Sequence, residues 1–273
     1  MNSSDDAAHS SGEASAKHTN VVFGFEEFWP KTYAQYGKQL DAIGDLIRIG
    51  DELVRAAEEN ADEPVKRVIW VLTSATMSGA CEAVLLCGNG CGAGAMKVVR
   101  GMYESRWTAE YLRRNPSEVD DFLEFSKVLA WRRLHWRQGY NGRVAADVMK
   151  RAEDEFNRVK GRFPDGRGGI RHTWSKKSIR AIAKEVGHEK EYEAPYAVAC
   201  SIHHANFEGI SALFNSGNGA LAPPPSEAMV KMALNLAHAN LWFALATLND
   251  SCGLGFDQRI DDAQRALEGV WRN

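Results

Sequence analysis

The stretch CSIHHANFEG, Cys200 to Gly209, sets two histidines beside a thiol, a hydroxyl, an amide and a carboxylate. Histidine changes charge near neutral pH, so such a pair is where acid–base or metal chemistry is first sought. Upstream, Tyr196, Cys200 and either His203 or His204 fall at i, i+4 and i+7 or i+8, which makes one helical stripe. Adjacent helical residues point about 100° apart, so only one histidine can sit squarely on that stripe. We assign it to His204, which is followed by Asn206.

A second stretch, VVRGMYESRWTAEYL, places Arg100 and Glu104 at i,i+4 on one helix face. On a solvated surface such a pair contributes about 0.3–0.5 kcal/mol. Buried, it requires further partners. If the two helices converge, Arg100, Glu104, Tyr196, His204 and Asn206 form either a structural polar network or a small pocket with His204 as its acid–base group. The structural network is the preferred expectation, with His204, Arg100 and Glu104 as the candidates should there be catalysis.

Two other motifs carry less chemistry. The glycine cluster CGNGCGAGAMK lacks the G-x-G-x-x-G spacing, the preceding strand and the Lys-Ser/Thr pair that phosphate-binding loops need, so it reads as a helix–helix turn. EVGH supplies one Glu-x-x-His, Glu185 and His188, whereas a di-metal bundle needs two such pairs plus two further glutamates. The five cysteines lack paired zinc spacing and read as reduced thiols. No metal and no cofactor is expected.

WRRLHWRQGYNGR interleaves Trp131, Trp136 and Tyr140 with Arg132, Arg133, Arg137 and Arg143. Guanidinium groups contact phosphates and rings stack on unpaired bases, although the same spacing also suits core positions. This motif lies in a basic segment. Residues 127–184 hold 16 Lys and Arg against 5 Asp and Glu, net +11, so the rest of the chain carries −14. Such a segment can bind an anionic partner such as nucleic acid, or it can neutralise acidic parts of the same fold or of a second subunit.

Helical periodicity dominates the elements that must hold these residues. Tyr36, Leu40, Ile43, Leu46, Ile47, Leu53 and Val54 form one apolar stripe. Asp62 is expected to cap the next helix, with Pro64 in its first turn. A helix over about 93–114 stops at Asn115-Pro116. Ser117 is expected to cap the following one, which runs to about Tyr140 and breaks at Asn141-Gly142. Further helices are expected over about 144–159, from a Ser175 cap to Gly187, over 194–214, from a Ser226 cap to Asp250, and over 257–271. The fold class is therefore all-α, a single-domain multi-helix bundle over residues 25–273 behind a disordered polar tail at 1–24. Val68 to Cys87 is about one bilayer span long, but its hydroxyl residues and Glu82 point to a buried core helix rather than a membrane anchor. No apolar leader is visible at the N-terminus, and a cytoplasmic location is expected. Self-association suits so long a helical chain, in an order the sequence does not give.

Three blocks resemble the bacterial domain-of-unknown-function family 5677. RGMYESRWTAEYLRRNP is similar to its Arg-x-x-x-Glu helix ending near Asn/Asp-Pro. WSKKSIRAIAKEVG is the second block. YAVACSIHHAN is similar to its Tyr-x-x-x-Ser-x-x-x-His-x-Asn helix, with Cys200 where the family tends to have Ser. The resemblance covers roughly residues 93–213. It implies a helical bundle, points to Arg100, Glu104, Tyr196, His204 and Asn206, and carries no established activity. The expected function is a non-enzymatic binding or scaffold protein. The alternative is a metal-independent ribonuclease resembling HEPN nucleases, or a nucleic-acid-binding protein using segment 127–184. HEPN sites place Arg-x4–6-His on one helix. No expected helix carries that spacing here: Arg167 to His172 fits it but lies in the Gly-rich loop, and the nearest on a helix is Arg180 to His188 with Gly187 between.

Overall fold

In a computed structural model, residues 28–204 and 227–271 are described. They are all-α, and the only β pairing among them is one bridge, Pro164 to Ile170. Four long helices make the body: α1 (Phe28–Asn60), α2 (Pro64–Gly88), α3 (Gly92–Arg114) and α8 (Glu227–Cys252). Around them stand α4 (Val119–Asn141), as long as α3, and the shorter α5 (Ala146–Val159), α6 (Ile179–Glu185), α7 (Ala197–His203) and α9 (Asp257–Trp271). The expected tail, the Ser226 cap, Asn206 and the end of the 194–214 helix lie outside the described residues.

The α1 stripe behaves as its spacing requires. Tyr36, Ile43, Leu46 and Leu53 are buried, and Leu40, Ile47 and Val54 pack at the edge of the same core. The glycine cluster is a helix–helix turn. Gly90 takes φ 72°, a left-handed value that a side chain disfavours. A Cβ on Gly92 would stand 2.6 Å from the backbone nitrogen of Val230, so glycine here is what lets α3 touch the start of α8. α2 packs against α1, α3 and α8 and, by length and composition alone, is apolar enough to cross a membrane.

Three expected caps shift. Pro64 occupies the first helical turn, so the extended capping residue is Glu63, and Asp62 instead reaches Lys66 at 2.8 Å. Pro116 to Glu118 form a 3-10 turn, which passes the cap of α4 from Ser117 to Glu118. Ser178, not Ser175, caps α6 by accepting from the Ala181 amide at 3.2 Å. Ser175 accepts from the Lys177 amide, closing a turn that delays the cap by three residues. Of the three, only Ser178 caps with its own side chain; Glu63 and Glu118 precede their helices without a side-chain cap bond.

α4 and α5 form a hairpin with a small core of its own: Phe125, Val128, Phe156, Val159 and Phe163, with Trp131 stacked on Phe156 at 4.1 Å. α4 ends at Gly142, φ 65°, a left-handed C-cap that leaves the final turns of α4 at the hairpin tip.

Candidate functional site

Three polar constellations stand on this frame. The first joins α3 to α7. Arg100 and Glu104 pair at 2.7 Å, and the Tyr196 hydroxyl donates to the same Glu104 oxygen, Oε1, at 2.6 Å. Arg100 Nε donates to the Cys200 Sγ at 3.3 Å, and its guanidinium lies 5.9 Å from the Tyr196 ring centre. Burial first, then the bonds to Glu104 and Cys200, push the Tyr196 phenol well above its ordinary range, so it stays a donor. Tyr196 closes a π-helical turn, Tyr192–Tyr196, containing Pro195. Such turns insert a residue into the helical ladder and re-aim the side chains that follow.

The structure thus brings Arg100, Glu104 and Tyr196 together, with Cys200 as the fourth member. His204 is exposed. It makes no hydrogen bond or ion pair to Arg100 or Glu104 among the described residues, and its ring meets His203 edge-on at 5.0 Å. The reason is angular. From Tyr196, a step of seven returns within about 20° of the starting direction, whereas a step of eight departs by about 80°. His203 is therefore the histidine on the stripe. Desolvation, then the charges of Arg100, His204 and Lys97, hold its imidazole below the usual range, with Glu104 opposing.

The second constellation, absent from the sequence expectation, is more deeply set. Arg106 on α3 is 1% exposed and donates through Nη2 to Glu191. Glu191 meets His188 Nδ1 at 2.7 Å, His188 Nε2 meets Glu110 at 3.0 Å, and Glu110 pairs with Arg114. The charges alternate from Arg106 to Arg114 along this chain. Arg114 also donates to the carbonyls of Glu185 and Val186, tying the end of α6 to α3. Gly187, at φ 90°, turns the chain so that His188 faces Glu110 and the Phe243 ring of α8. Glu185 is drawn instead to Lys177 and Asn115, so the Glu185–His188 spacing considered for a metal does not make a pair. Among the described residues no group of His, Cys, Asp and Glu has metal-holding geometry.

Both ring nitrogens of His188 face carboxylates, and only the protonated imidazole can donate to both. Burial lowers its pKa, but the hydrogen bonds to Glu110 and Glu191 outweigh that and leave it raised from 6.5. For Glu110 and Glu191 burial acts upward, yet His188 and the arginines leave both below their ordinary 4.5. The signs fix a pH profile. The His188 contribution is complete below its unfolded pKa and is lost as pH rises through the higher folded value. The carboxylate contribution is complete above about 4.5 and is lost as pH falls through the lower folded values. Unfolding free energy from urea titrations is therefore expected to peak between these limits and to decline above pH 6.5, with the decline flattened in His188→Gln. An unchanged alkaline slope in that variant would exclude His188 as its source.

The signal that marks this second set is a repeat. Arg106 and Glu110 restate the Arg-x-x-x-Glu spacing six residues after Arg100 and Glu104, within the same quoted stretch. Six helical steps rotate the pair by about 120°, from the α7-facing side toward the core. Not every buried polar group is a site. His238 is fully buried on α8, burial pushes it down to about 4, and neither ring nitrogen has a hydrogen-bond partner in the described structure, so it sits in the core as a neutral ring.

The third constellation is the hairpin tip. Arg132 turns inward and donates to the carbonyls of Ile170 and Arg171 at 2.9 and 3.0 Å, pinning the loop that follows α5. Arg133, Trp136, Arg137 and Tyr140 follow i, i+3, i+4 and i+7 and share one exposed face. Trp136 is 77% exposed and Tyr140 86%. Arg143 follows just beyond the C-cap.

The family model described as a family of unknown function (DUF5677) matches residues 66–221. The chain belongs to this family. The match begins within α2 and holds all three constellations, so it reaches further toward the N-terminus than the three blocks legible in the sequence. The family brings no assigned activity to any of them. No curated protein and no solved structure matches the chain.

Proposed function

We propose that the protein is a non-enzymatic binding protein that engages single-stranded nucleic acid through the tip of the α4–α5 hairpin. The observation that carries this reading is the exposed row Arg133, Trp136, Arg137, Tyr140. Large rings this exposed gain nothing from the fold, and guanidinium groups interleaved with them match a strand of phosphates with unstacked bases.

The surrounding charges support it. Part of the basic segment is paired within the chain: Arg151 with Asp147, Arg158 with Glu124 and Glu155, Arg162 with Asp121, Lys177 with Glu185, Arg180 with Glu193 and Lys184 with Glu189. Arg133, Arg137 and Arg143 make no ion pair among the described residues. They set three unpaired positive charges near the two exposed rings. On this reading the Arg100–Glu104–Tyr196–Cys200 set and the Arg106–Glu110–His188–Glu191 set are structural. They fasten the segment 185–203 to α3.

The test is binding of a fluorescent single-stranded RNA and its DNA counterpart by anisotropy, at several salt concentrations. Binding should weaken steeply with salt. In Arg133→Glu with Arg137→Glu and Arg143→Glu, log-affinity should lose about 0.7 in salt slope for each phosphate contact removed. Trp136→Ala should cost about 1–3 kcal/mol, the contribution of one stacked base. No salt-dependent binding near physiological salt would sink the proposal. The ribonuclease alternative now rests on His203, whose imidazole feels the charges of Arg100 and Lys97. RNA cleaved in the same samples, and spared in His203→Ala, would favour it over binding alone.

A further inference from the structure

The hairpin tip leaves another surface without a role. α2 is the most apolar of the long helices, yet only 39% of its most apolar 18-residue window is buried. Its outward face carries Val71, Ala75, Ser78, Cys81 and Leu85, all exposed, with Glu82 alongside. Val71 is 56% exposed and Leu85 57%. Exposed aliphatic side chains of this size on one line are costly to leave in water.

The order of residues on that line has a particular symmetry. Val71 and Leu85 each stand seven residues from Ser78, and Ala75 and Cys81 each stand three from it. Read in either direction, the face runs large, small, small, small, large. A surface that is its own complement when reversed is what a two-fold axis requires. Beside the small centre, a cleft of about 440 Å³ opens between α2 and α3, floored by Ser78, Gly79 and Gly101.

The geometry points to a homodimer in which α2 packs antiparallel against α2 of a second copy, on a two-fold axis at Ser78. Val71 of each chain then covers Leu85 of the other, and the small residues at the centre let the two backbones approach. Two formal charges border the line: Glu82, whose carboxylate accepts from the Ser78 hydroxyl at 3.2 Å, and Lys97 of α3, which lines the same cleft. In this register the two Glu82 residues are eight residues apart along the axis. That is about 12 Å, beyond the screening length of about 8 Å at physiological salt.

The area fits. α2 is about 37 Å long and about 10 Å wide, so its face offers about 370 Å². Adding the neighbouring flank of α3 roughly doubles this, to near the 800 Å² or so that each partner contributes to a stable interface.

The test is sedimentation equilibrium of the full chain over a range of concentrations. The parent chain should dimerise. Val71→Glu with Leu85→Glu places like charges opposite each other and should raise the dissociation constant at least about tenfold. Val71→Lys with Leu85→Glu places opposite charges there and should recover the dimer. Far-UV circular dichroism melts close to those of the parent will show that the variants fold, as expected for exposed positions. Ser78→Cys, in a Cys81→Ser background, provides a second measurement. It lies on the axis and should cross-link to itself under mild oxidation. A parent chain that stays monomeric overturns the proposal. So does a dimer indifferent to Val71→Glu with Leu85→Glu. A dimer that this variant dissociates, but that Val71→Lys with Leu85→Glu does not restore, overturns the antiparallel register.

Discussion

Glu191→Ala is expected to cost about 3–5 kcal/mol of unfolding free energy, the usual result of stripping one partner from a buried ion pair. The argument rests on Arg106. Its side chain is 1% exposed, and its charge is ringed by Tyr103, Trp107 and the face of Phe243 at 4.5 Å. Its Nε and Nη1 have no hydrogen-bond partner in the described structure, so the bond from Nη2 to Glu191 is its one direct compensation. Removing that carboxylate leaves a guanidinium that cannot neutralise itself by losing a proton near neutral pH. The pair is nonetheless replaceable. Arg106→Met with Glu191→Gln removes both charges and keeps much of the volume, and it should regain most of the loss. Urea titration of the parent, the single and the double variant measures the cycle. A single-variant loss under about 1 kcal/mol would mean that water reaches Arg106, contrary to its burial.

Trp107→Ala is expected to have a comparable effect, about 3–5 kcal/mol, through cavity formation rather than charge. Trp107 is fully buried and has ring contacts with Tyr103 at 5.0 Å, Tyr192 at 6.3 Å and Tyr196 at 5.1 Å. Tyr196 also reaches Glu104, so the indole lies beneath both polar sets on α3. Its deletion should loosen the π-turn as well as the core, and near-UV circular dichroism should lose aromatic signal beyond that of one tryptophan. Trp107→Phe should cost far less. The indole Nε1 has no hydrogen-bond partner in the described structure, so the phenyl ring sacrifices packing volume only. Equal losses in the two variants would show that something other than ring packing is being removed.

Helix existence was legible in the sequence because it depends on local periodicity. The α1 stripe, the stop before Pro116, the break at Asn141-Gly142 and the terminal helix over 257–271 all follow from residue types and spacings a few positions apart. Caps were legible only to within about three residues, since Ser117 is taken into the 3-10 turn Pro116–Glu118 and Ser175 closes a turn ahead of α6. The convergence of α3 with the segment carrying Tyr196 was suggested by the family resemblance, and Glu104 does meet both Arg100 and Tyr196.

Tertiary structure alone decided which residues of each motif meet. Helical spacing puts His203, not His204, on the Tyr196 stripe, and the packing of that segment against α3 turns the stripe toward Arg100 and Glu104. The buried network needed Gly187 to reverse the chain, bringing His188 and Glu191 to Arg106 and Glu110 some eighty residues earlier. WRRLHWRQGYNGR suited a core or a surface equally well, because helical spacing describes a face without saying what lies against it. The packing of α4 on α5 divided it, with Trp131 and Arg132 turned inward and Arg133, Trp136, Arg137 and Tyr140 left outward. Local sequence specifies which residues share a side of a helix. Which side faces protein and which faces water is a property of the neighbouring helices, set by contacts between residues far apart in the chain.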